Sequence, residues 1–160
     1  DMREMPDWNE LYSIVGQIAL AMNHNNWLVF EALRLVLNMS REDASSFFYS
    51  LKSDSAQRDF AMAIINDRLN ASGQSALVSR LKTELNELGR LSGIRNGFIH
   101  TSWSADETKF VATHGTVPHP KIDWDDPIKQ GKALIRELWE MSHRLIEICD
   151  EIELLSSPKK

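Results

Sequence analysis

From Gln74 to about Thr101, the residues Leu77, Leu81, Leu85, Leu88, Leu91, Ile94 and Phe98 recur at steps of three and four. That spacing lines side chains along one stripe of an α-helix, and a stripe this long has to be covered by other apolar surfaces. The same period recurs along most of the chain. Asp7 and Glu10 form a capping-box-like start to an apolar pattern from Trp8 to Met22, and after the polar break His24-Asn25-Asn26 the pattern resumes from Trp27 to Met39. One kinked helix or two collinear ones fit that pair of segments. Ser40 to Asp43 repeats the cap ahead of the short helix "REDASSFFYSLKS", and Ser53 or Asp54 caps "SAQRDFAMAIINDRLN". "ASGQS" is a turn, and Asp125 or Asp126 before Pro127 starts a last helix that runs to about Leu155. The pattern predicts an all-α fold, an up-down bundle of four or five helices. Between Thr101 and Pro127 it predicts a long loop, or a small β-hairpin in "TKFVATHGTV". The tail "SSPKK" reads as a frayed end.

At 160 residues the chain fits a single domain, 1–160, with a core that needs no staples. Its 42% apolar and 26% charged residues fit the soluble globular class, and no segment carries the run of roughly 18 apolar residues that a membrane span needs. Cys149 is the only cysteine, and no secretory pattern opens the chain at Asp1. A reducing, cytoplasmic setting is therefore the expectation. The net charge of −5 argues against sequence-blind clamping of a long polyanion, while leaving room for a local cationic site.

Such a site is suggested by "GIRNGFIHTSW", residues 93 to 103. On a helical wheel Arg95 falls in the middle of the apolar stripe, where a guanidinium needs an acid or an anion because it cannot shed its charge. Asn96 and His100 project together from a neighbouring face, and Gly89, Gly93 and Gly97 follow one another at four-residue steps on that flank. Each glycine costs a helix about 1 kcal/mol relative to alanine, so close approach by another helix or by a substrate is the natural use of the space. Arg95 and His100 lie five residues apart, about 140° on an ideal helix. Their heads converge only with help from local fraying or from a partner subunit.

"RNGFIH", residues 95–100, resembles the R-x4–6-H motif of the HEPN superfamily, including the asparagine directly after the arginine. Its setting is also similar: a helical bundle, the motif near the C-terminal end of a long helix, then a loop and a closing helix. The resemblance implies an all-α, frequently dimeric protein, in many members a metal-independent endoribonuclease whose two motifs meet across the dimer interface. In others it implies a non-catalytic module that binds a nucleotide, a nucleic acid or a protein partner. It also implies RNA as substrate, an antitoxin or nucleotidyltransferase as a further partner, and no cofactor. Mapped onto this chain, His100 supplies general acid or base chemistry, Arg95 holds the phosphate, and Asn96 orients the imidazole or contacts the phosphate. Trp103 and Arg90 are candidate substrate contacts, and so is Glu31, a carboxylate inside the apolar segment 27–37.

Plainer readings stand beside these. Arg95 can be a structural ion pair with Glu31, His100 can cap its helix against the dipole, and Trp103 can close the core at the helix end instead of stacking on a base. His100, His114 and His119 fit no standard zinc spacing, and Asp123, Asp125 and Asp126 read as a helix start before they read as a cation site. Cys149 lies on the apolar side of the last helix, as an inert filler.

Overall fold

The computed structural model describes residues 6–112 and 119–156. It is mostly helical (77%), an all-α bundle of five helices with a two-stranded antiparallel hairpin before the last. The elements run α1 (Trp8–Leu37), α2 (Arg41–Phe48), α3 (Asp54–Ala71), α4 (Ser75–His100), β1 (Trp103–Asp106), β2 (Lys109–Ala112) and α5 (Pro127–Ser156).

Their ends follow from local chemistry. Asp7 accepts from the backbone of Asn9 and Glu10, Ser40 from Asp43, and Ser53 from Ala56, so side chains satisfy N–H groups that a helix start leaves without partners. Gly73, at φ 78°, ends α3 in the left-handed conformation that glycine adopts freely. Helix α1 runs unbroken through His24-Asn25-Asn26, with Asn25 buried and the His24 ring stacked on Trp27 one turn on. No proline interrupts the segment, so polarity alone does not break it. Helix α2 stops at Phe48, short of the expected Ser53, and the Ser50 hydroxyl donates to the Phe47 carbonyl at 2.6 Å. Such side-chain bonds compete with helix continuation.

The hairpin is shifted from the expected one. Strand β1 is formed by Trp103–Asp106, and the two-residue turn is Glu107-Thr108, with Asp106 opposite Lys109 and Glu107 at φ 45°. The turn carries no Asn-Gly or Asp-Gly signal. His114 and the "THGTV" end of the expected hairpin lie outside the described residues, as does most of the "SSPKK" tail.

The chain divides into two compact units. The first comprises residues 1–22 and 90–139. Its core joins Leu11, Ile14 and Ile18 of α1 to Leu91 and Phe98 of α4 and to Leu134 and Leu138 of α5. Helix α5 approaches closely at Gly131, where an added Cβ would overlap Ile14 Cγ2 and sit 3.2 Å from the Phe98 ring. An aromatic cluster finishes this core: Trp103 packs on Phe98, Phe110 and Trp124 at centroid distances of 5.8, 6.3 and 5.3 Å.

The second unit comprises residues 23–89 and 140–160. Leu28, Phe30 and Leu33 of α1, Phe48 of α2, Ile65 of α3, Leu81 and Leu88 of α4, and Leu145 and Ile152 of α5 fill its core. Its surface pairs Arg80–Glu151 and Arg144–Glu84, at 2.6 and 2.8 Å, are half-exposed on the arginine side and add little stability.

Candidate functional site

The end of α4 and the segment leading into α5 form the candidate site, all within the first unit. Phe98 is 1% exposed and anchors this turn of α4 in the core. That fixes the other directions of the helix: Gly93, Asn96, Gly97 and His100 share the adjacent flank, by the i, i+3, i+4, i+7 geometry of a helix. Asn96 is half-buried, and His100, the last residue of α4, is exposed. Thr101 Oγ1 donates to the Gly97 carbonyl at 2.5 Å and closes the helix end.

The glycine flank is covered by the segment His119 to Ile122. A Cβ at Gly97 would lie 2.8 Å from His119 Nδ1 and 2.9 Å from Ile122 Cδ1, and one at Gly93 would overlap Lys121 Nζ. Any larger residue at 97 would push this segment off the helix, so the glycines serve a close approach by a loop. A network of short-range bonds holds the segment in place. Gln130 of α5 donates to the Lys121 carbonyl at 2.7 Å and accepts from the Asp123 backbone at 2.8 Å. His119 Nδ1 accepts from the Lys121 backbone at 3.3 Å, and the Trp124 indole donates to the His119 carbonyl at 3.3 Å.

This arrangement brings Lys121 and His119 to the flank that carries Asn96 and His100. Electrostatically Lys121 matters. The C-terminus of a helix carries about half a negative charge, which repels a phosphate, and the Lys121 ammonium offsets it. The sequence alone points to neither Lys121 nor His119 as part of this site, and it offers His119 only as a zinc ligand. The available signal was the pair of glycines one turn apart, which demanded a covering segment without saying which.

Arg95 is half-buried, with its Nε sealed from solvent. Its Nη2 donates to Ser92 Oγ at 3.3 Å, so the guanidinium folds back along its own helix, away from His100. Within one protomer the two heads of the motif therefore do not converge. The ion pair suggested for Arg95 takes a different form, because Glu31, 8% exposed, belongs to other arginines. Arg34 binds both of its oxygens, at 2.6 and 3.0 Å, and Arg41 lies 3.5 Å away. The Arg34 hydrogen bonds hold the Glu31 carboxyl below its usual range, against the opposing pull of burial, with the charges of Arg34 and Arg41 adding to the effect. Glu31 is thus the acid of a structural ion pair with Arg34, with Arg41 beside it.

Two further candidates are also occupied. Arg90 pairs at the surface with Glu137 at 2.5 Å. Trp103 donates its indole N–H to the Phe98 carbonyl at 3.1 Å and is wedged among aromatic rings, so it closes the core instead of offering a face to a base. Asp126 accepts from the Lys129 backbone at 2.9 Å as the cap of α5, and Asp123 accepts from the Asp125 backbone at 3.1 Å. Among the described residues no group of three or more potential ligands is placed to hold a metal ion. Burial pushes the Cys149 thiol up to about 12, and the nearby Glu31 and Asp150 charges add to it. That thiol is no nucleophile. Among the described residues no helix is long and apolar enough to cross a membrane.

No family model, no curated protein and no solved structure matches this chain. The resemblance to HEPN proteins therefore rests on residues 95–100 and their place in the fold.

Proposed function

We propose that this chain is a HEPN-like, metal-independent endoribonuclease, acting as a homodimer in which Arg95 of one protomer works with His100 of the other. The observation that carries this reading is the flank at the end of α4, where Lys121 is laid over Gly93 and His119 over Gly97, beside Asn96 and His100. RNA brings its own nucleophile. His100 takes the proton from a 2′-hydroxyl, the O2′–P bond forms, and the P–O5′ bond breaks. The leaving oxygen takes a proton from solvent water. Arg95 and Lys121 steady the charge that builds on the phosphoryl oxygens. The divergence of Arg95 and His100 within one protomer is the reason for assigning the reaction to a dimer.

Incubation with single-stranded RNA in EDTA tests the reading. Cleavage to 2′,3′-cyclic phosphate ends, lost in His100→Ala, supports it. An inert wild-type protein, or equal cleavage by the variant, removes it. The inward fold of Arg95 favours a second reading, a non-catalytic module that binds RNA or a nucleotide through the same flank. RNA binding without turnover, weakened by Lys121→Glu, selects that reading.

A further inference from the structure

Helix α1 carries no Asp, Glu, Lys or Arg from Leu11 to Phe30. A helix buried on all sides can lack charge, but this one has a solvent side. In the first unit Leu11, Ile14 and Ile18 point into the core, and on the opposite side Tyr12, 64% exposed, Gly16, and Leu20, 64% exposed, follow one another at four-residue steps. The exposed side of α5 in the same unit is charged, with Lys129, Lys132 and Arg136. Gly16 is the second unusual feature. A glycine in a helix interior costs about 1 kcal/mol relative to alanine, and a Cβ at this one would meet nothing in the chain within 4 Å. Gly93, Gly97 and Gly131, by contrast, each give room to a side chain of the protein itself. We propose that this crest of α1 is the contact between two copies of the chain, their α1 helices running antiparallel and closest at Gly16.

A two-fold contact sets one patch against itself, so that residue i of one copy meets residue j of the other and j meets i. A charged residue near the axis would face its own copy at short range, and an uncharged crest avoids that repulsion. With the axis at Gly16, the residues four before and four after it, Tyr12 and Leu20, fall opposite one another in the two copies. Each copy then presents one ring and one aliphatic side chain, on either side of a glycine where the backbones approach closely. The Trp8 ring, 5.8 Å from that of Tyr12, holds the tyrosine in place before contact, which lowers the ordering cost of association. A second copy is the occupant because the face complements itself, and because the RNA site proposed above already needs a dimer. A strongly acidic or basic partner finds no charge on this crest to recognise.

Sedimentation equilibrium of the intact protein, without RNA, tests this. A dimer is expected, and Leu20→Glu should weaken it at least about a hundredfold, because two carboxylates are then buried without partners. Gly16→Leu should also give a monomer: its Cβ meets nothing within the chain, so the fold is kept, which circular dichroism checks, while the axis is blocked. Tyr12→Lys combined with Leu20→Glu in one chain should restore the dimer, since position 12 of each copy then faces position 20 of the other with opposite charge. The two positions lie about 12 Å apart along one helix, so the rescue cannot arise within a single chain. A monomeric wild type gives the crest to another protein and overturns the contact, as does undiminished association of Leu20→Glu or a double variant that stays monomeric. A dimer that does not cleave RNA removes the nuclease and leaves this contact standing. RNA cleavage by a dimer that Leu20→Glu and Gly16→Leu leave intact does the reverse.

Discussion

Replacing Gly97 and Gly89 in turn by alanine should change stability in opposite directions, although both glycines lie in the same helix. Alanine is favoured over glycine in a helix interior by about 1 kcal/mol. At Gly89 a new Cβ meets only Arg58 Nη2 at 3.9 Å, an ordinary contact. Gly89→Ala should therefore stabilise the protein by about 0.5–1 kcal/mol. At Gly97 the Cβ would meet the His119 ring at 2.8 Å and Ile122 at 2.9 and 3.0 Å, and these cannot withdraw without lifting the segment held by Gln130. Overpacking of this kind costs about 1–3 kcal/mol, which outweighs the propensity gain and leaves Gly97→Ala destabilised by up to about 2 kcal/mol. Urea unfolding at pH 7 separates the two, because a stability change moves the midpoint at constant slope. Adding His119→Ala to Gly97→Ala should recover part of the loss, the mark of coupled neighbours. Equal stabilisation by both substitutions would mean that the His119–Ile122 segment does not rest on α4.

Glu31→Gln should destabilise the protein by about 1–3 kcal/mol at pH 7, less than for a sealed pair because Arg41 is largely exposed. The Glu31 carboxyl is held below its usual range, so its contribution is present above the unfolded value of about 4.3 and is lost as pH falls through the lower folded value. The gap between wild type and Glu31→Gln in urea midpoints should therefore narrow toward acid; a gap that widens contradicts the assigned ion pair. Trp103→Phe removes the indole donor to the Phe98 carbonyl and should cost about 1 kcal/mol, with RNA affinity unchanged in a filter-binding assay. A selective loss of RNA binding at full stability would restore Trp103 as a base-stacking residue.

Much of the fold was legible because apolar period and caps agree along the chain. The leucine stripe of α4 and the Asp-Pro start of α5 needed only local physics. The unbroken α1 was one of two open readings, since three polar residues cannot decide between a kink and a buried Asn25. The hairpin was misplaced because its tight turn, Glu107-Thr108, lacks glycine. Arg95, Asn96 and His100 were legible as a group, yet their orientation was not. Helical spacing gave the angle between Arg95 and His100, while the Ser92 contact that turns Arg95 inward depends on side-chain packing. Glu31 reads from the sequence as a carboxylate that is paired, exposed at a gap or functional, with Arg95 as the partner offered; the structure pairs it with Arg34 and Arg41, only three and ten residues on. Lys121 was invisible for a similar reason, because nothing local ties it to Gly93.

The central claim is that Arg95 and His100 act together from different subunits, and mixing two dead variants tests it directly. Arg95→Ala and His100→Ala proteins, each inactive on RNA in EDTA, are combined and allowed to exchange subunits. In a two-fold dimer half of the molecules become mixed, and each mixed dimer keeps one intact site, so about a quarter of the wild-type rate should return. A mixture that stays as inactive as its components, while wild type cleaves, would contradict the shared site.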